Sequence, residues 1–102
     1  MYEIKVERIF KEDYKRTMHK HPQLKREFQV AIEELAQNGC VPESYNPHPL
    51  TNTNGNYNGH IDFHLSDGLI DVLVLYMPHK TNPIVRLVRM GSHDELFHGK
   101  RF

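Results

Sequence analysis

Residues 60–65 read His60, Ile61, Asp62, Phe63, His64, Leu65. Apolar and polar residues alternate, and a strand sends alternate side chains to opposite faces. Ile61, Phe63 and Leu65 then share one face, and His60, Asp62 and His64 share the other. Two imidazoles and a carboxylate on one strand face can do chemistry. Histidine titrates near neutrality, so one ring can take a proton while another gives one. Other groups are placed to join them if the strands pair. His48 lies in "NPHPL", Asp67 in "SDG", and His93 with Phe97 in "GSHDELF". Arg86 and Arg89 lie on one strand candidate with opposite parity, so at most one faces the same side.

Three readings compete for this set. Alternation alone produces a solvated polar face on any half-buried sheet. His-x-Asp-x-His with His48 or His93 as a fourth ligand is a set that zinc accepts. The third reading is acid–base chemistry on RNA, whose 2′-hydroxyl is a built-in nucleophile. That reaction needs a base, an acid and cationic support for the phosphate, which histidines and an arginine supply. A neighbouring aspartate orients a histidine and raises its pKa.

The elements that must position these groups follow from periodicity. Tyr2, Ile4 and Val6 alternate with charges and predict a strand at 2–8. Phe10, Tyr14 and Met18 recur every four residues and predict a helix at 10–19. "HP" at 21–22 breaks it, and Pro22 suits the start of a second helix. Leu24, Phe28, Ala31, Ile32 and Leu35 form its apolar stripe, and Gly39 is its expected C-cap. Residues 40–58 hold Pro42, Pro47, Pro49, Gly55 and five asparagines, and read as a long loop. Strands are expected at 59–66, 69–77 and 83–90, with a tight Asp-Gly turn at 66–68. Ser92 is placed to cap a short closing turn of helix. The fold class is α+β: strand, helix, helix, then a three-stranded antiparallel meander, with both helices on one sheet face and no element left for the other.

Composition bounds the function. A chain of 102 residues suits one domain with a modest core. Formal net charge is zero, yet residues 1–30 carry eight basic against five acidic side chains. Zero net charge argues against a strongly electrostatic nucleic-acid binder. "MYEIKVERIF" does not read as a signal peptide, and "LIDVLVLYM" is too short to span a bilayer and contains Asp71. No membrane association is expected. The single Cys40 fits a reducing cytosol, so a cytoplasmic location is expected.

"HPL" in the loop, "G-x-x-D-x-H" at 59–64, Asp67, the apolar second meander strand and the closing "R-x-G-S-H-x-x-L-F" together resemble the YafQ-type branch of the RelE/ParE toxin superfamily. These are toxins of bacterial type II toxin–antitoxin pairs, and the likeness runs from the first strand to Phe97. It implies two helices on a curved antiparallel sheet. It also implies a ribosome-dependent, metal-independent endoribonuclease without a cofactor, acting on mRNA and restrained by a cognate antitoxin. The matching site residues are His48, Asp62, His64, Asp67, His93 and Phe97.

On that resemblance His64, oriented by Asp62, is the expected base and His93 the acid, with the two roles exchangeable. His48 supports the base or the phosphate, Arg86 or Arg89 stabilises developing charge, and Phe97 stacks on a base. Lys11, Lys15, Lys20 and Lys25 are candidates for ribosomal RNA. The sequence departs from the pattern in its neutral charge, in Gly68 after Asp67, in the additional His60 and in the terminal "GKRF". Two other classes stay open: a non-enzymatic toxin that blocks DNA gyrase, as some superfamily members do, and a small His/Asp metal-binding protein.

Overall fold

A computed structural model describes residues 1–50, 59–65, 69–78 and 82–98. Its elements are β1 (Glu3–Val6), α1 (Arg8–Lys20), α2 (Lys25–Asn38), β2 (His48–Pro49), β3 (Ile61–His64), β4 (Leu73–Pro78), β5 (Ile84–Gly91) and a closing helical turn, Asp94–His98. The five strands form one sheet in the order β1-β5-β4-β3-β2. The expected meander is present, with β3, β4 and β5 antiparallel. β1 joins it after the helical excursion, parallel to β5, with Ile4 opposite Val85.

Local chemistry explains the helix boundaries. Pro22 opens a short 3-10 turn, Pro22–Leu24, that leads into α2. Gly39 ends α2 at φ 76°, and its N–H donates to the Leu35 carbonyl at 2.9 Å. A side chain there is excluded twice, by the left-handed backbone and by the Tyr2 ring, which an added Cβ would meet at 2.6 Å.

The main core lies between the helices and one sheet face. Phe10, Leu24, Ala31 and Leu35 pack there with Phe63, Leu65, Val74, Tyr76, Val85, Leu87 and Met90. The expected α1 stripe of Phe10, Tyr14 and Met18 is rotated. The buried line on α1 is Phe10, Asp13 and Thr17, with Tyr14 and Met18 only half-buried. Asp13 can sit there because its carboxylate is saturated with donors. Arg89 donates from Nε to Oδ2 at 2.6 Å and from Nη2 to Oδ1 at 3.2 Å, and the Met90 N–H adds a bond of 3.1 Å. Arg16 adds an ion pair at 3.0 Å.

Three expectations need correction. The loop at 40–58 contains a strand: β2 pairs with β3, and Leu50 N–H donates to the His60 carbonyl at 2.8 Å. Pro49 is tolerated because β2 is an edge strand, where a missing N–H breaks no ladder. The second meander strand begins at Leu73, not 69. His64 pairs with Leu73, and the expected turn at 66–68 lies outside the described residues. The far sheet face is not left uncovered. Leu73, Leu75 and Leu96 form a second buried cluster, flanked by Leu50 and Val88. The closing turn supplies its lid, Val88 faces it by strand alternation from Leu87, and a register shift opposite Leu75 and Tyr76 returns Met90 to the main core.

Asp13→Ala would leave the Arg89 guanidinium and the Met90 N–H without their acceptor in a dry layer. Urea unfolding should show a loss of about 3–5 kcal/mol. A loss below about 1 kcal/mol, the scale of an exposed pair, would show that the clamp does not hold α1 to β5.

Candidate active site

β2 and β3 pair so that His48 lies directly opposite Asp62. The His48 Nδ1 stands 3.8 Å from Asp62 Oδ1, too long for a hydrogen bond. His64 follows two residues after Asp62 on the same face. Its ring centre is 6.2 Å from that of His48 and 5.8 Å from that of His93. The sheet thus brings together His48, Asp62, His64 and His93 from three separate stretches of chain.

His93 arrives just after β5, and a residue missed in the sequence reading holds it. Asp71 Oδ1 is 2.6 Å from His93 Nδ1, and the His93 backbone N–H donates to the same carboxylate at 3.2–3.3 Å. An ionised carboxylate only accepts, so Nδ1 carries the proton. The backbone explains how Asp71 reaches it. Val72 N–H donates to the Ile70 carbonyl at 2.8 Å, a three-residue turn with Asp71 at its centre. The turn delays β4 and leaves Asp71 exposed beside His93. The only sequence signal was a lone charge inside the apolar run "LIDVLVLYM".

Asp62 is the unusual group. It is buried, its Oδ1 has no hydrogen-bond partner among the described residues, and the same holds for His64 Nδ1. Burial raises the Asp62 pKa, and the nearby His48, His64 and His93 partly oppose that rise. A carboxylate kept short of donors beside three imidazoles is held ready for a proton or for an added partner. Among the described residues, no group of three or more His, Cys, Asp or Glu side chains is spaced to hold a metal ion.

The remaining expected residues are placed as follows. Asp67 lies outside the described residues, and so does the side chain of Phe97, whose backbone belongs to the closing turn. His60 precedes β3 and is half-buried. Arg86 donates to Glu7 Oε2 at 2.7 Å, and Arg89 is held in the buried Asp13 clamp. Both guanidiniums already carry carboxylate partners. Lys11 and Lys15 are exposed on α1.

The architecture is that of small bacterial toxins. A histidine-to-glutamine variant of Escherichia coli YafQ superposes with a TM-score of 0.77 at 22% identity, covering 95% of this chain and 99% of that one. YafQ in the E. coli DinJ–YafQ complex gives 0.75 at 23%, with coverage of 95% and 99%. A metal-bound toxin from Helicobacter pylori gives 0.74 at 31%, covering 95% of this chain and all of that one. No curated protein matches significantly by sequence. Residues 2–98 match the family described as "Bacterial toxin of type II toxin-antitoxin system, YafQ". The chain belongs to that family.

The raised Asp62 pKa has a defined consequence for stability. Folding disfavours the ionised carboxyl, so Asp62 withdraws stability at neutral pH. The withdrawal fades as pH falls through the raised value and is gone below the ordinary 3.8. Asp62→Asn should therefore melt at or above the wild-type temperature at pH 7, with the gap closing under acid. A clear drop in melting temperature at pH 7 would mean that the carboxylate is net stabilising.

Proposed function

We propose that this toxin is a ribosome-dependent endoribonuclease that cleaves mRNA by histidine acid–base catalysis. The observation that carries the reading is the set His48, His64 and His93 on one sheet face, with Asp71 fixing the reactive nitrogen of His93. RNA supplies the nucleophile. One imidazole, assigned to His64 beside Asp62, takes the 2′-hydroxyl proton as the 2′-oxygen bonds to phosphorus. The phosphorus–5′-oxygen bond breaks, and the His93 imidazolium gives its Nε2 proton to the leaving oxygen. The products are a 2′,3′-cyclic phosphate and a 5′-hydroxyl. The exchanged assignment of base and acid fits the same geometry.

His48, as an imidazolium, supports the phosphate charge, because Arg86 and Arg89 are already paired. Phe97 is assigned to stack on a base, and Asp67 to the same site. Lys11, Lys15, Lys20 and Lys25 face solvent and are assigned to ribosomal RNA. Acid and base both come from side chains, so the proposed reaction calls on no metal or cofactor. The YafQ of E. coli is seen in complex with DinJ. By the same logic a cognate antitoxin is proposed to restrain this toxin. The cytoplasm, where ribosomes work, is the proposed location. Among the described residues, no helix is long and apolar enough to cross a membrane.

The test is 5′-end mapping of mRNA in a cell-free translation reaction, with chelator and without, beside ribosome-free RNA. Codon-phased cuts that need ribosomes and ignore chelator are expected. His64→Ala and His93→Ala should each slow cleavage by about 10²–10⁴-fold, and Asp71→Asn should fall between wild type and His93→Ala. Intact mRNA with the wild-type protein would remove the nuclease reading and leave a protein-blocking toxin, such as one acting on gyrase. Full activity in both histidine variants would remove the site assignment.

A further inference from the structure

The Asp71 bond fixes one side of His93, and a second set of contacts holds the backbone that carries it. Ser92 and Glu95 form a reciprocal cap at the start of the closing turn. Ser92 N–H donates to Glu95 Oε1 at 2.9 Å, and Glu95 N–H donates to Ser92 Oγ at 3.1 Å. The other oxygen of Glu95, Oε2, lies 3.3 Å from Arg16 Nε on α1. Arg16 in turn pairs with the buried Asp13 and donates to the Met90 carbonyl at 3.4 Å. Gly91 is matched to this arrangement, since an added Cβ would come within 2.7 Å of Glu95 Oε1. Leu96, fully buried, pins the far side of the turn.

His93 is therefore one residue from a cap whose acid is bonded to the main body of the protein. We propose that Glu95 is a positioning residue for His93, acting through Ser92 and anchored by Arg16. The proposal rests on the nuclease reading for its catalytic consequence, but not for its structural one. Glu95 touches no reacting atom. It fixes the backbone at 92–93, and with it the depth at which His93 Nδ1 meets Asp71 and the direction of Nε2. A turn one residue off this geometry misplaces the proton donor against the leaving oxygen.

The test pairs a spectroscopic readout with a kinetic one. Ring ¹⁵N shifts of His93 report which nitrogen carries the proton in the free protein. Wild type is expected to show the Nδ1–H form, and Glu95→Ala a mixture of the two tautomers. Glu95→Gln keeps an acceptor for Ser92 N–H but loses the ion pair, and should lie between. On ribosomes, Glu95→Ala should lower kcat by about 10- to 100-fold, with the ribosome concentration for half-maximal rate unchanged. Ser92→Ala, which removes no charge, should move the same signals to a smaller extent and serves if Glu95→Ala does not fold. Wild-type ring shifts in Glu95→Ala overturn the proposal whatever the cleavage rate. So does a wild-type kcat in Glu95→Ala where the wild-type toxin cleaves. Absence of cleavage by the wild type overturns the nuclease reading, while the ring shifts still decide the positioning of His93.

Discussion

The buried carboxylate of Asp13 is the constraint on which the rest depends. It lies on α1 where an apolar residue would ordinarily pack, and it takes hydrogen bonds from Arg89 and from the Met90 backbone. An ion pair this dry adds little net stability over an apolar contact, but it is very sensitive to loss of one partner. It therefore acts as a locator more than as a source of stability. It sets α1 against the end of β5, the segment from which His93 emerges. Arg16 extends the same network to the closing turn, so helix, sheet and closing turn share one set of charges.

The site is built in the opposite way. Asp62 and His64 each bury a polar atom that finds no hydrogen-bond partner among the described residues. Such atoms are expensive, and a fold selected for stability alone would satisfy them. They lie between His48 on the edge strand and His93, which Asp71 holds, and the proposed reaction sets the substrate phosphate and its hydroxyl beside them. Saturated bonding at Asp13 and incomplete bonding at Asp62 are complementary. The first makes a rigid frame, and the second leaves capacity for a ligand.

The elements with strong periodicity were legible in the sequence. Both helices, the meander and the αL cap at Gly39 follow from apolar spacing and residue chemistry. The histidine face was legible for the same reason, since alternation in 60–65 aims Asp62 and His64 together. What escaped depended on long-range partners. The residues His48 and Pro49 read as loop because the prolines at 47 and 49 suppress the strand signal, and only an available edge on β3 makes them a strand. Asp13 broke the apolar stripe, and no local pattern shows that an arginine 76 positions later will receive it. Asp71 was hidden because the turn at Ile70–Val72 interrupts an otherwise apolar run. Leu96 was unplaced because its partners, Leu73 and Leu75, lie on another strand.

In the proposed reaction the RNA attacks itself under histidine control. The most direct measurement is the chemistry of the ends produced when the toxin acts on a ribosome-bound mRNA carrying a single labelled codon. A 2′,3′-cyclic phosphate, or the 3′-phosphate derived from it, opposite a 5′-hydroxyl is the predicted result. A 5′-phosphate opposite a free 3′-hydroxyl would mean that water, not the 2′-hydroxyl, is the nucleophile, and would contradict the account.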